Sequence, residues 1–236
     1  MGTIAYRRYQ GTRFFASLDG LRAASILGVI WHHTAGATAP WALLHQGNRG
    51  VNLFFVISGF LIVTLLLRAK AQHGTFSLPK FWGRRSLRIL PVYYAVLALY
   101  AVLVLWRERS PVDRQAFLVH LPAFATFTSN WFVNLDNPRV IFYFAWSLAA
   151  EEQFYLFWPW CERFLRGFWP LLVAGLALVL SQGAAVAGSS LPPGQLSLPW
   201  RILSSVPAAI LLGVMLAHLL HAPATFRVLA AVTGRR

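Results

Sequence analysis

Six stretches of this 236-residue chain carry no lysine, arginine, aspartate or glutamate, and each is about long enough to cross a lipid bilayer as a helix. Hydrophobic residues make up 57% of the chain and charged residues only 12%, whereas a soluble domain typically has about 25% charged residues. Such a chain has too few charges to cover a water-facing surface, so we predict an integral, multi-pass membrane protein. The uncharged stretches are residues 23–48, 50–67, 89–106, 115–135, 167–200 and 202–226.

These stretches locate the predicted helices. The first one resembles the apolar region of a secretory signal, but His32 and His33 interrupt it and further spans follow, which favours an uncleaved helix. The predicted fold class is all-α: a transmembrane helical bundle of about six spans plus one short or re-entrant segment, 116–133, in a single membrane domain over residues 1–236. The full spans are predicted at residues 21–39, 51–67, 87–106, 140–160, 169–187 and 202–220.

Positive charges lie between the apolar stretches. The 21 basic and 7 acidic residues give a net charge of +14, and their distribution follows the positive-inside rule rather than predicting a nucleic-acid partner. If segment 116–133 does not cross the membrane, 15 of the 21 basic residues lie on the side of the N-terminus, whereas only 12 do if it crosses. We therefore predict that residues 1–16 form a cytoplasmic arm. The single cysteine, Cys161, predicts no disulfide and no thiol metal site.

Arg22 and His33 form the first polar pair of the apolar region. They lie eleven positions apart, close to three full helical turns, so both side chains share one helix face about 16 Å apart along the axis. Asp19 can pair with Arg22 across one turn, whereas His32 points away from this face. A histidine in this position is typical either of helix packing or of catalysis, and the spacing is compatible with both.

Two adjacent carboxylates, Glu151 and Glu152, fall near the centre of the predicted span 140–160. A charged side chain at mid-membrane costs about 2.5–3.5 kcal/mol on insertion scales. We therefore expect these two groups to face a cavity, to pair with cations or to hold protons. The alternative is a helix break near the membrane interface, which Pro159 in the same segment would favour.

Arg84, Arg85 and Arg88 lie at the start of the predicted span 87–106. Arg85 and Arg88 share a helix face, as do Arg84 and Arg88. The positive-inside rule alone predicts arginines here as anchors of the topology. The same spacing also allows guanidinium groups to hold a phosphate through paired donors. Spacing favours neither interpretation.

Four segments together resemble the signature blocks of acyltransferase family 3, in that family's order. The family's Arg-x10-His pair falls on Arg22 and His33, its Arg-x-x-Arg pair on Arg85 and Arg88, and its carboxylate block on Glu151 and Glu152. The four segments are residues 17–22 (SLDGLR) followed by His33, residues 50–62, residues 84–91 (RRSLRILP) and residues 146–158, and residues 201–217 resemble a weaker later block.

This resemblance implies an integral-membrane O-acyltransferase, expected in a bacterial inner membrane. Such enzymes transfer an acetyl or other short acyl group from cytoplasmic acyl-CoA, without a metal, to a hydroxyl of a sugar, glycolipid, cell-envelope polysaccharide or metabolite. Membrane lipids surround the bundle. Under this hypothesis His33 is the general base, and the carboxylates orient it or pair with an arginine. The CoA phosphates are expected to bind Arg85 and Arg88, with further contributions from Arg84 and Arg22.

Two departures from the family pattern accompany the resemblance. Asn52 stands where aspartate is common, which removes one acidic group from the second span. The chain is also shorter than typical members, so it is expected to correspond to their N-terminal two-thirds and to lack the last spans.

Intramembrane histidine and glutamate residues are also common in proton-coupled carriers. The alternatives are therefore a transporter or flippase-like permease, and an inactive truncated member of the family.

Overall fold

The computed structural model describes residues 2–12, 15–34, 47–135, 139–191 and 196–232. Within these ranges the regular secondary structure is entirely helical, which confirms the predicted all-α membrane bundle. The helices are α1 (Gly2–Gly11), α2 (Ala16–Thr34), α3 (Gly47–His73), α4 (Leu78–Arg107), α5 (Pro111–Ala125), α6 (Ser129–Phe132), α7 (Ala145–Phe164), α8 (Trp169–Gly188), α9 (Leu198–Ser204), α10 (Ala208–His221) and α11 (Pro223–Val232).

The described helices differ in whether they can cross a membrane alone. By length and apolar composition α3, α4 and α8 can each do so, and the number rises to at most five if each of the bent pairs α1–α2 and α9–α10 is counted as one span. Helix α7 occupies the predicted span 140–160 but does not meet the same criterion. Its 20 residues include three glutamates and Arg163, which lower its apolar character.

The predicted short segment 116–133 is a broken helix. Helix α5 has 15 residues, about 22 Å, which is shorter than the hydrocarbon core of a bilayer. It begins where the hydroxyl of Ser110 accepts a hydrogen bond from the Asp113 amide (3.2 Å). The helix is interrupted at Phe127, whose φ is +54°, and the chain resumes as α6.

The chain divides into two compact units. The first unit comprises Met1–Phe76, Glu162–Val179 and Pro207–Arg236. The second unit comprises Ser77–Cys161 and Leu180–Val206. The packing of each unit is described separately below.

In the first unit, α3 packs against both α2 and α10. Gly59 of α3 and Gly213 of α10 bring the two backbones together so closely that a Cβ atom on either glycine would collide with a carbonyl oxygen of the other helix. Small residues commonly permit this close approach between membrane helices. The side chains around this crossing are buried, and they include Phe55, Ile57, Val63, Ile210 and Val214.

Helix α1, the predicted N-terminal arm, is docked within the first unit. The Tyr6 hydroxyl donates a hydrogen bond to the backbone carbonyl of His221, and the Tyr6 ring packs edge-on against Phe226 with 5.2 Å between centroids. Arg68 of α3 donates to the backbone carbonyls of Tyr9 and Thr12. These contacts attach the beginning of the chain to α3, α10 and α11.

In the second unit, aromatic side chains join α4 to α5. The Tyr93 hydroxyl donates to the Phe124 carbonyl at 2.7 Å, and Phe142 packs beside both rings. At the turn between these helices, Arg139 binds the carboxylates of Glu108 (2.6 Å) and Asp113 (2.5 Å). This ionic cluster and the aromatic core together hold α4 and α5 in place.

Candidate active site

The second unit brings together one arginine and one carboxylate from the predicted site. The Nη2 atom of Arg85 on α4 lies 3.7 Å from the Oε1 atom of Glu151 on α7. The Tyr155 hydroxyl, one turn along α7, donates a hydrogen bond to the same Glu151 oxygen. The guanidinium carbon of Arg85 lies 3.8 Å from the centre of the Tyr155 ring. We refer to Arg85, Glu151 and Tyr155 as the arginine–carboxylate cluster.

Tryptophan contacts between α4 and α7 support this cluster. The Trp82 indole N–H donates to the Tyr155 carbonyl at 3.0 Å, and its ring lies 5.5 Å from that of Trp160. Trp82 precedes Arg85 by three residues, so the two side chains lie on the same side of α4. The contact therefore determines which face of α4 is turned toward α7.

The cluster leaves donors of Arg85 available. A separation of 3.7 Å is an ion-pair distance that exceeds the usual length of an N–H···O hydrogen bond. The Nε atom of Arg85 is also buried without a hydrogen-bond partner among the described residues. A guanidinium has five N–H donors, and its fork matches phosphate geometry. Arg85 is thus held in place by Glu151 and Tyr155 while keeping donors for a ligand.

The two adjacent glutamates differ in their surroundings. The side chain of Glu151 is 5% exposed and contacts both Arg85 and Tyr155. In contrast, the Oε1 atom of Glu152 is buried without a hydrogen-bond partner among the described residues. A buried carboxylate oxygen without a partner is costly, so such a group commonly marks a position where a ligand or water binds.

The other two arginines near the start of α4 are not part of the cluster. Arg84 is exposed, and its Nε atom donates to the Lys80 carbonyl at 3.2 Å. Arg88 is also exposed, and within the described part of the chain its side chain makes no hydrogen bond or ion pair. The structure thus separates a largely buried Arg85 from two exposed arginines, which the helical spacing alone could not distinguish.

In the first unit, α2 runs without interruption through the positions of Arg22 and His33. The guanidinium of Arg22 lies 5.0 Å from the centre of the Phe54 ring on α3, whereas Asp19 is exposed and forms no ion pair with a described residue. The side chains of His32 and His33 lie outside the described part of the structure. The role of His33 therefore stays a prediction.

Sequence reasoning missed Tyr155 as a member of the cluster. The signal was present, because Tyr155 follows Glu151 by four residues and therefore lies on the same face of α7. It also missed Gln153, which pairs with Asn130 through two reciprocal amide hydrogen bonds of 3.0 and 2.9 Å. This second contact joins α6 to α7 beside the carboxylates and had no sequence signal, because 23 residues separate the two amides.

These features define a helical membrane protein with a buried arginine–carboxylate cluster on two of its signature segments. The chain belongs to acyltransferase family 3: residues 15–232 match the family's profile, which is described as an acyltransferase domain. The O-acetyltransferase OatA of Staphylococcus aureus strain NCTC 8325 is 35% identical over 176 residues, which are 70% of this chain and 28% of that protein. OatA of strain COL matches to the same extent.

The chain spans about a quarter of the length of the curated relatives that it matches. No solved structure matches this chain.

Proposed function

We propose that this protein is a membrane O-acyltransferase that moves an acyl group from acyl-CoA to a hydroxyl group of a carbohydrate, glycolipid or metabolite. Family membership and the names of the relatives, which are O-acetyltransferases, support oxygen as the acceptor atom and acetyl as the acyl group. The proposed location is a bacterial inner membrane with the N-terminus in the cytoplasm. The proposed acceptor is a cell-envelope polysaccharide or a lipid-linked carbohydrate.

The observation that carries this proposal is the set of contacts and unpartnered N–H donors of Arg85. It lies on the family's Arg-x-x-Arg block, is fixed by Glu151 and Tyr155, and keeps N–H donors without partners among the described residues. A buried N–H donor without a partner is costly, so a ligand that accepts a hydrogen bond from it would stabilise the site. Arg85 therefore fits a phosphate of the acyl donor, and the exposed Arg84 and Arg88 add positive charge along α4.

The proposed chemistry needs one acyl transfer and two proton transfers. His33 removes the proton of the acceptor hydroxyl, and the resulting oxygen nucleophile attacks the thioester carbonyl carbon. The carbon–sulfur bond breaks, and the CoA thiolate takes up the proton that His33 holds and leaves as the thiol. In this scheme Arg85 and Arg22 stabilise the negative charge of the CoA phosphates. Glu151 positions Arg85, and Glu152 is available for a polar group of a substrate.

The test is acetyl-CoA turnover by the purified protein in proteoliposomes supplied with a bacterial cell-envelope polysaccharide. We expect release of CoA thiol together with transfer of radiolabelled acetyl to the polysaccharide. Substitution His33→Ala should lower the rate by about 10²–10⁴-fold, the usual contribution of a general base. His32→Ala is the matched control, because helical periodicity predicts another helix face for position 32 than for the adjacent position 33.

Two outcomes would contradict the proposal. Full activity of the His33→Ala variant would remove His33 from the mechanism. Proton-driven uptake of a substrate without thioester cleavage by the wild-type protein would identify a transporter instead. Membrane insertion of each variant, measured by protease accessibility, separates a loss of chemistry from a failure to fold.

A further inference from the structure

The first unit contains a cavity of about 470 Å3 that the proposed acyl transfer does not use. It lies between the end of α3, the end of α7, the beginning of α8 and the end of α10. Its wall includes both apolar residues such as Leu67 and Leu219 and a cluster of charged groups. Cavities of this size bind small or medium-sized ligands in other proteins.

The ionisable groups of this cavity are Lys70, Arg166, Glu162, His218 and His221. The Nε2 atom of His218 lies 2.8 Å from the Oε1 atom of Glu162, and these side chains are 10% and 1% exposed. Glu162 is the one carboxylate among the cavity's described residues, so it can offset only one of the two permanent cations. The two permanent cations, Lys70 and Arg166, therefore leave the cavity with a positive net charge.

Both cations have donors for an anion. The Nζ atom of Lys70 donates to the carbonyls of Glu162 (2.6 Å) and Leu165 (2.7 Å) at the end of α7, and an ammonium has a third N–H. The side chain of Arg166 is exposed at the cavity and makes no hydrogen bond or ion pair with a described residue. The first turn of α8 lines the same cavity, and the positive end of its helix dipole favours an anion further.

An apolar groove of about 430 Å3 continues from this cavity along α8. The two share Phe168 and Leu171, and the groove ends at Val179. Between Phe168 and Val179 the helix rises about 16 Å. Gly175 forms an open notch in the groove, because a Cβ atom there would meet no other atom within 4 Å. Helix α8 is apolar and long enough to span a membrane, so we expect this groove to face acyl chains in a bilayer.

We propose that the cavity and the groove together bind one anionic phospholipid. Its phosphate binds Lys70 and Arg166, and one acyl chain lies along α8 over Gly175. An apolar helix face alone would contact bulk lipid without preference. Here two cations at one end of a concave groove match an anionic headgroup with an attached chain, so charge complementarity selects the occupant. This lipid site does not depend on the proposed acyl transfer.

The test is native mass spectrometry of the full chain in detergent with an equimolar mixture of phosphatidylglycerol and phosphatidylcholine that have the same acyl chains. We expect retention of one phosphatidylglycerol per protein. The exposed Arg166→Gln should weaken its retention about five-fold, the effect of one basic residue near an anionic membrane surface. Arg227→Gln, which removes an equally exposed charge on α11, is the matched control and should bind as the wild type does.

A second pair of variants tests the groove. Gly175→Leu should fill the notch and reduce lipid retention, whereas Gly183→Leu, at an open and exposed glycine of the same helix, should not. Equal retention of the two lipids by the wild type, or equal effects of Arg166→Gln and Arg227→Gln, would overturn the proposal. If free glycerol phosphate competes as well as the lipid and Gly175→Leu has no effect, the ligand is a soluble phosphate and the lipid assignment is wrong.

Discussion

Arg85 and Glu151 face each other at 3.7 Å on α4 and α7, and the hydroxyl of Tyr155 donates to the glutamate from one turn away. The side chains of Arg85 and Glu151 are 17% and 5% exposed, so the two charges lie largely out of water. Each charge therefore depends on the other for compensation. This dependence separates Arg85 from Arg84 and Arg88, which are both exposed.

Substitution Arg85→Ala is expected to destabilise the protein by about 3–5 kcal/mol, because it leaves the Glu151 carboxylate buried without its cation. Arg88→Ala should change the free energy of unfolding by less than about 0.5 kcal/mol, as is usual for an exposed position. The measurement is thermal or denaturant unfolding in detergent micelles. In the double variant Arg85→Ala/Glu151→Gln the glutamine carries no charge. The double variant should therefore lose less free energy of unfolding than the sum of the losses of the two single variants. Strictly additive losses would show that Arg85 and Glu151 are not coupled.

Binding of acyl-CoA is expected to weaken by about 10–100-fold when Arg85 and Arg88 are both replaced by alanine, since a hydrogen bond to a charged group contributes about 1.5–3 kcal/mol. Equilibrium dialysis with radiolabelled acetyl-CoA measures this change. Arg107→Ala, at the other end of α4, is the matched control. Arg85→Lys keeps the charge without the planar fork and should also bind more weakly than the wild type. Unchanged affinity in the double variant would remove the phosphate role.

Substitution Gly213→Ala is expected to destabilise the first unit by about 1–3 kcal/mol, the usual cost of overpacking. Its new methyl group would collide with the Val56 carbonyl of α3, and backbone atoms cannot move aside as a flexible side chain can. Gly183→Ala, where no atom lies within 4 Å, should instead stabilise α8 by up to about 1 kcal/mol through helix propensity. Equal unfolding temperatures for the two variants would show that α3 and α10 do not cross closely.

The turn between α4 and α5 is expected to lose stability in acid. A hydrogen bond from the Ser110 amide and the adjacent Arg139 guanidinium lower the pKa of Glu108 below its ordinary value of 4.5. Because the pKa is lower in the folded state, this group stabilises the fold above pH 4.5 and loses that effect as the pH falls through the folded-state pKa. The wild type should therefore lose more stability than Glu108→Gln between about pH 6 and pH 3. Parallel pH profiles of the two proteins would refute this role of Glu108.

The positions of most helices could be predicted from the chain because a bilayer requires long uncharged segments. The prediction of residues 169–187 corresponds to α8 (Trp169–Gly188), and that of residues 87–106 lies within α4 (Leu78–Arg107). The span predicted at residues 202–220 is bent by 50° between α9 and α10. Pro207 lies at this bend and has no backbone N–H for a helical hydrogen bond. Apolar content alone does not indicate such a break in a helix.

The family was also predictable, since its four signature blocks lie in order along the chain and residues 15–232 match its profile. The roles of Arg22 and His33 remain predictions. What local spacing could not decide was which partner each charged residue takes. Helical periodicity places Arg85 and Arg88 on one face, but it does not tell which of them meets α7.

Local sequence therefore determines which segments are helical, because helix length, apolar content and proline positions act within a few turns of the chain. Only the tertiary structure pairs Arg85 with Glu151 across 66 positions and Glu162 with His218 across 56 positions. The physical reason is that the free energy of a buried charge depends on the partner that packing brings within a few ångströms, whatever its distance along the chain.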